Sequence, residues 1–281
     1  MTVFEARRRI LRALSEAGVP SPGFEADMIL RHVLNSTGGH LLAHPEEKTD
    51  DNEINEIQRI VARRVSREPL QHIIGSWDFF GRTLETPPGV LIPRPETELL
   101  VEIALDLTPP QGGLFLDWGT GTGCIALSLL CESRALEGLA ADCNPLAISA
   151  CWRNLRRHGV LDRCLVLHSR TPEDLPLHAG SLDMLVSNPP YIKTDQLPHL
   201  VEEVRYEPVS ALDGGVDGMR WYRRLSAAAE VLLKPGGWLL FEVGDEYQAE
   251  AILQSASPSF LPGGTHRDYS GISRVLVMRR V

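Results

Sequence analysis

The stretch Leu114-Phe115-Leu116-Asp117-Trp118-Gly119-Thr120-Gly121-Thr122-Gly123 decides the fold. Leu114 to Asp117 has the apolar run of a short buried strand, and Gly123 to Cys131 that of a helix. The three glycines between them let the backbone turn sharply and meet a ligand with no Cβ in the way. Dinucleotide-binding loops space their glycines G-x-G-x-x-G, whereas the spacing here is G-x-G-x-G, and no Lys follows as it does in a phosphate-binding P-loop. The next strand, Gly138 to Asp142, ends in a carboxylate 25 positions after Asp117. At the end of a parallel strand, Asp142 would accept hydrogen bonds from the ribose hydroxyls of a nucleoside. Asp117 has two readings, as a neighbour for a cationic ligand group or as a structural cap.

Outward from this loop the pattern alternates. Pro95-Glu96-Thr97-Glu98 opens an apolar helix through Leu107, with Pro at the helix start, where its missing N–H costs least. Pro145 to His158 reads as a helix, Cys164 to His168 and Leu182 to Ser187 as strands, and 217–233 as a helix. Strands follow at Trp238 to Val243 and Arg274 to Arg279. Alternating strands and helices predict an α/β fold with a mostly parallel sheet covered on both faces.

Residues 1–75 differ. Apolar stripes at Phe4, Ile10, Leu11 and Leu14, at Ala26, Ile29, Leu30, Val33 and Leu34, and at Ile54, Ile57, Ile60, Val61 and Val65 recur at helical spacing. The third stripe follows the cap-like Thr49-Asp50-Asp51, and Ser36 to Glu47 reads as a connection. A small helical domain over 1–75, a β-hairpin linker over 76–93 and an α/β domain over 94–281 are the expected organisation.

Composition narrows the function. The chain has 281 residues, 43% hydrophobic and 23% charged, which suits a packed core. Its net charge of −9 argues against holding nucleic acid by bulk electrostatics. Five cysteines without C-x-x-C spacing predict no metal site and no disulfide framework. Without a secretory pattern or a long apolar run, the expectation is a soluble, cytoplasmic protein with no membrane partner.

A second chemical motif, Asn188-Pro189-Pro190-Tyr191, follows the strand Leu182 to Ser187. Two prolines cannot continue a sheet, so the chain turns out at the strand's C-terminal edge, where open α/β sheets bind ligands. The Asn188 side-chain oxygen and the Pro189 carbonyl are then fixed acceptors, and Tyr191 offers a flat apolar face. A planar amide or aromatic –NH2 is a poor nucleophile. Two acceptors on its N–H groups would hold the nitrogen in line with a sulfonium methyl and stabilise the positive charge that develops. A carboxylate beside the glycine loop also suits the cationic amino-acid end of S-adenosylmethionine better than a pyrophosphate.

These residues resemble class I S-adenosylmethionine-dependent methyltransferases that act on amino groups. Several further segments resemble the release factor glutamine methyltransferase (PrmC/HemK) family. They are Pro69-Leu70-Gln71-His72-Ile73-Ile74-Gly75, Phe80-Gly81, Gly89-Val90-Leu91-Ile92-Pro93-Arg94-Pro95-Glu96-Thr97-Glu98, Tyr206-Glu207-Pro208, Ala211-Leu212-Asp213-Gly214-Gly215, Asp217-Gly218 and Phe241-Glu242-Val243-Gly244. Asp268 to Gly271 and Arg274 fit it too. The resemblance implies a Rossmann-like, seven-stranded, mostly parallel sheet with an antiparallel last hairpin. It implies N5-methylation of the glutamine in the Gly-Gly-Gln motif of class 1 peptide-chain release factors. It places the cofactor on Gly119, Thr120, Gly121, Thr122, Gly123, Asp142 and Asn188, with Thr171 as a positional candidate. The glutamine falls to Asn188, Pro189, Pro190 and Tyr191, with Asn188 and Pro189 catalytic. The helical domain would dock the release factor, and the enzyme would act as a monomer without binding DNA.

The sequence departs from the family at Trp118, where a smaller aliphatic residue is usual, and at Ser169-Arg170-Thr171, where relatives commonly carry an Asp. Arg94 and Glu96 either orient a loop over the cofactor or form a cap and ion pair at the helix start. Arg59, Arg63, Arg64 and Arg67 read as a solvated face, with an acidic partner or RNA as the alternative. Other readings of the whole chain are a ribosomal-protein glutamine or adenine-N6 methyltransferase, and a non-catalytic adaptor. A DNA enzyme would need a target-reading domain and a basic cleft, and the first 75 residues carry a net charge of only −1.

Overall fold

The computed structural model describes residues 1–281. The chain forms two units: Met1–Ser76 with Val201–Tyr206, and Trp77–Leu200 with Glu207–Val281. No helix is long and apolar enough to cross a membrane.

The smaller unit consists of α1 (Val3–Glu16), α2 (Pro22–Val33), α3 (Gly38–Ala43), α4 (Asp51–Val65) and α5 (Leu70–Ile74). Thr2 with Glu5 and Asp50 with Glu53 form reciprocal capping boxes that start α1 and α4. The apolar stripes meet in a core that includes Ile10, Leu14, Ile29, Leu30 and Ile60. The segment expected as a connection contains the short α3, whose N-cap is Thr37. The arginines of α4 are not simply solvated. Arg59 and Arg63 pair with Glu56 and Glu68. Arg64 is 3% exposed and clamps Glu25 at 2.6 Å and Glu203 at 3.3 Å. Arg67 reaches Glu202 and Glu203, and the Tyr206 hydroxyl donates to the Ser66 carbonyl. The acidic partners of these arginines belong to the chain itself: Glu56, Glu68 and Glu25 nearby, and for Arg64 and Arg67 also the Val201–Tyr206 segment.

The larger unit begins with a hairpin, β1 (Ser76–Phe79) and β2 (Arg82–Glu85). It is not a free-standing linker. Phe79 and Leu84 sit in the unit's core, and the Glu85 N–H donates to Asn154 Oδ1 at 2.8 Å. Each buried side chain of this size contributes about 1.5–3 kcal/mol, enough to fix the hairpin in place.

There follow α6 (Thr97–Asp106), β3 (Gly113–Trp118), α7 (Cys124–Glu132), β4 (Leu136–Asp142), α8 (Pro145–Arg157), β5 (Cys164–His168) and β6 (Leu182–Ser187). A short pair, β7 (Ile192–Lys193) and β8 (Asp213–Gly215), precedes α9 (Arg220–Leu232) and β9 (Leu233–Glu242). The chain closes with α10 (Glu246–Ser255), β10 (Phe260–Arg267) and β11 (Ser273–Arg280). The main sheet has seven strands in the order β10-β11-β9-β6-β3-β4-β5, all running the same way except β11, which is antiparallel to both its neighbours, β9 and β10. Successive residues of β3 serve opposite faces: Phe115 packs with Leu100 and Leu127, and Leu116 packs with Leu185 and Tyr222. The chain steps outward from β3 through β4 to β5, then returns to β6 on the other flank of β3. The loops after β3, β4 and β6 therefore leave at one edge, at the switch point where such sheets bind ligands.

Candidate active site

The glycine loop after β3 is held from behind. Gly119, Gly121 and Gly123 have φ of 76°, 56° and 81°, left-handed values that glycine adopts without strain. The Gly119 and Thr120 N–H groups both donate to the Ala141 carbonyl. Asp117 Oδ2 accepts from Thr120 Oγ1 at 2.6 Å and from the Ala126 N–H at 3.2 Å, so Asp117 ties the loop to the first turn of α7. Its Oδ1 has no partner, and burial pushes its carboxyl up to about 7. Of its two readings, the structural cap is the one these bonds describe. A Cβ on Gly123 would lie 2.8 Å from Cys151 Sγ, whereas beside Gly121 there is open space. Gly123 thus serves helix packing, and Gly121 leaves the backbone open to a ligand.

Asp142, ending β4, faces this loop. Its Oδ2 accepts from the Gly121 N–H at 2.9 Å and its Oδ1 from the Asn144 N–H at 2.8 Å. These bonds fix the carboxylate, and lone pairs remain for a diol. Burial pushes its proton affinity up, opposed by the donating backbone N–H groups.

The Asn188–Tyr191 turn is set beside the glycine loop. Ser187 Oγ donates to the Trp118 carbonyl at 2.6 Å, and a Cβ on Gly119 would lie 3.9 Å from the Asn188 carbonyl oxygen. Tyr191 is packed closely on several sides. A Cβ on Gly214 would meet its backbone at 2.8 Å, one on Gly218 its carbonyl oxygen at 2.6 Å, and one on Gly244 its ring at 2.9 Å. Gln248 Nε2 donates to the Tyr191 carbonyl, and Gln248 Oε1 accepts from the Gly244 N–H. Gly214, Gly218 and Gly244, one from each of the segments Ala211–Gly215, Asp217-Gly218 and Phe241–Gly244, thus share one task, making room for Tyr191.

The Arg94–Glu98 run gathers the other motifs. Arg94 makes a two-pronged pair with Glu207, at 2.7 and 2.8 Å, from Tyr206-Glu207-Pro208. Thr97 Oγ1 donates to Glu242 Oε2 at 2.6 Å, and Asn188 Nδ2 donates to Thr97 Oγ1 at 3.2 Å. Glu98 Oε1 accepts from the Phe80 N–H. Arg94 is therefore an ion-pair residue, but its partner lies far along the chain. Glu96 occupies the N-cap position of α6 without a capping bond. Burial pushes the carboxyls of Glu207 and Glu242 up to about 7, against the pull of Arg94 on the first and of Thr97 on the second.

One cavity lies at this edge. Gly119, Gly121, Asp142, Asn188 and Pro190 of the expected site line it, and Leu91, Cys143, Ala147, Pro208 and Ala211 add apolar wall. Thr120, Thr122 and Gly123 belong to the loop's frame, and Pro189 and Tyr191 to the turn's. Thr171 is not in the lining. Its carbonyl accepts from Ser169 Oγ and its hydroxyl serves Glu173, so the positional match does not carry it into the cavity. Trp118 and Trp221 line the cavity with ring centroids 4.7 Å apart. Sequence reading singled out the first only as a departure and the second not at all. The donor set fits S-adenosylmethionine: an open glycine backbone, a fixed carboxylate for the ribose diol and apolar walls for the base.

Comparison with known proteins agrees. Residues 5–75 match the family model described as the PrmC N-terminal domain, and residues 95–215 match the methyltransferase small domain. A release factor glutamine methyltransferase of Nitratidesulfovibrio vulgaris is 37% identical over 97% of this chain and 93% of its own length. One from Geobacter sulfurreducens is 39% identical over 94% of this chain and 91% of its own. Among solved structures, the hMettl16 catalytic domain in complex with the MAT2A 3'UTR hairpin 6 covers 81% of each chain with a TM-score of 0.58 and 16% identity, a likeness of fold. The cofactor is S-adenosylmethionine, and this chain belongs to the release factor glutamine methyltransferase family.

Proposed function

We propose that the enzyme methylates N5 of the glutamine in the Gly-Gly-Gln motif of class 1 peptide-chain release factors. One observation carries the reading: the Asn188–Tyr191 turn and the glycine loop meet at a single cavity lined by both Asn188 and Gly121. Bound S-adenosylmethionine supplies an electrophilic methyl group on sulfur. Gly119, Gly121 and Asp142 hold that cofactor. Asn188 Oδ1 and the Pro189 carbonyl accept the two N–H bonds of the substrate amide and aim its nitrogen. As positive charge grows on that nitrogen, the same acceptors stabilise it, and the proton becomes acidic enough to leave without a strong base. Pro190 and Tyr191 shape the slot for the glutamine side chain.

The test is on the substrate. A class 1 release factor should accept labelled methyl from S-adenosylmethionine, and the same factor with its Gly-Gly-Gln glutamine changed to alanine should accept none. Equal labelling of both would place the acceptor elsewhere. Labelling of a ribosomal protein or of adenine in place of the release factor would move the substrate to those classes.

A further inference from the structure

We propose that Thr97 and Glu242 form a relay that sets which way round the Asn188 amide stands, so that its oxygen and not its nitrogen faces the substrate. This rests on the reading of Asn188 as an acceptor, and it makes Thr97 and Glu242 positioning residues.

The two ends of a carboxamide are nearly the same size. Turned over, Asn188 would offer two N–H donors to a substrate group that also has two, and attraction would become repulsion. Something other than shape must choose. Asn188 Nδ2 lies 3.2 Å from Thr97 Oγ1, and Thr97 Oγ1 lies 2.6 Å from Glu242 Oε2. A hydroxyl has one proton to give. An ionised Glu242 only accepts, so it takes that proton and leaves Thr97 with lone pairs toward Asn188. An NH2 complements those lone pairs and a carbonyl oxygen does not. The Asn188 oxygen is therefore directed to the opposite side of the amide. Thr97 and Glu242 are each 2% exposed, so bulk water does not stand in for either. Three distant stretches meet here: the end of β6, the first turn of α6 and the end of β9.

The groups that act on Glu242 are Arg94 and Glu96 ahead of α6, Tyr191 after β6, Tyr222 of α9, Cys124 of α7 and Arg274 of β11. The Tyr222 hydroxyl donates to the Glu242 carbonyl and so steadies its backbone. Burial pushes the Glu242 carboxyl up to about 7. A protonated Glu242 can donate to Thr97, which frees the Thr97 proton for Asn188 Oδ1 and allows the amide to turn. The acceptor orientation is thus favoured as pH rises through neutrality.

The experiment compares full-length variants with a release factor and S-adenosylmethionine, and follows cofactor binding by calorimetry. Thr97→Val keeps the shape and removes the hydroxyl. It should lower kcat by about tenfold or more with cofactor Kd essentially unchanged, and Thr97→Ser should recover most of the loss. Glu242→Gln should flatten the rise of kcat that the unmodified enzyme shows over about pH 6 to 8. Near-full kcat in Thr97→Val, with Asn188→Ala inactive, would overturn the relay and leave Asn188 as the acceptor. Full activity in Asn188→Ala would instead overturn the acceptor reading beneath it. If Thr97→Val fails to fold, seen as lost cofactor binding, the pH profile decides: an identical profile in Glu242→Gln and the unmodified enzyme overturns the relay.

Discussion

The glycine loop and the Asn188–Tyr191 turn border one cavity, yet they are built in opposite ways. The loop carries its own means of bending: its glycines take left-handed backbone angles, and Asp117, three residues before Thr120, ties it down. The turn has no glycine at all. Its two prolines fix its path, and the room it needs comes from Gly214, Gly218 and Gly244, 23 to 53 positions downstream of Tyr191. Its polar support comes from Thr97, 91 positions upstream of Asn188. One half of the site is encoded locally, and the other is assembled from the whole length of the larger unit. Damage to the first should therefore appear in cofactor binding, and damage to the second in turnover.

The strongest break in that comparison is Asn188→Ala. Turnover should fall by about 100-fold or more while cofactor affinity, read by calorimetry, changes little. Asp142→Ala should do the reverse and weaken the cofactor by about tenfold or more, since a charged acceptor for the ribose hydroxyls contributes about 1.5–3 kcal/mol. Unchanged affinity would remove Asp142 from the ribose role. Gly214→Ala sharpens the contrast because its new Cβ meets Tyr191 backbone at 2.8 Å, and backbone cannot swing aside. A loss of about 1–3 kcal/mol in a denaturation curve, with kcat reduced, is expected. Gly121→Ala meets open space and only the strain of a φ of 56°, so its cost should be nearer 1 kcal/mol, with cofactor affinity the affected quantity.

The smallest effect is on pH. Asp117 and Glu242 are buried carboxyls pushed up to about 7. Folding therefore favours their protonated forms. The stability they contribute is fully present below the unfolded value near 4 and is lost as pH rises through about 7. The melting temperature should fall by a few degrees between about pH 6 and 8, at roughly 2–4 °C per kcal/mol for a unit of this size, and Glu242→Gln should reduce that fall. A melting temperature that rises over the same range would reverse the sign assigned to these groups.

The local half of the site was legible in the sequence, and the assembled half only in outline. The strand ahead of Gly119, the carboxylate at Asp142 and the Asn188–Tyr191 turn are where spacing and strand patterning put them, because each follows from a buried run of a few residues. The spatial partners of Thr97 left no such trace: it sits among charged neighbours in Arg94–Glu98, and nothing in that run says that Glu242 and Asn188 flank it. Thr171 is named by position alone; it stands outside the cavity lining, with its hydroxyl engaged by Glu173. In the sheet, β10 escaped the strand-by-strand reading because it is an edge strand. Leu261 to Arg267 lie exposed, and the register shifts between Pro262 and Gly264, which erases the period-two signal. Val201–Tyr206 escaped assignment to the helical unit for a related reason, since it joins through Arg64, Arg67 and Ser66 and not through an apolar stripe.

The central claim is that Asn188 aims a glutamine nitrogen at the methyl donor. Mass spectrometry of a digested class 1 release factor, after incubation with the enzyme and S-adenosylmethionine, tests it most directly. One added methyl on the Gly-Gly-Gln glutamine, present with the unmodified enzyme and lost with Asn188→Ala, is the predicted result. A methyl that persists with Asn188→Ala, or that sits on any other residue of the factor, would contradict the account.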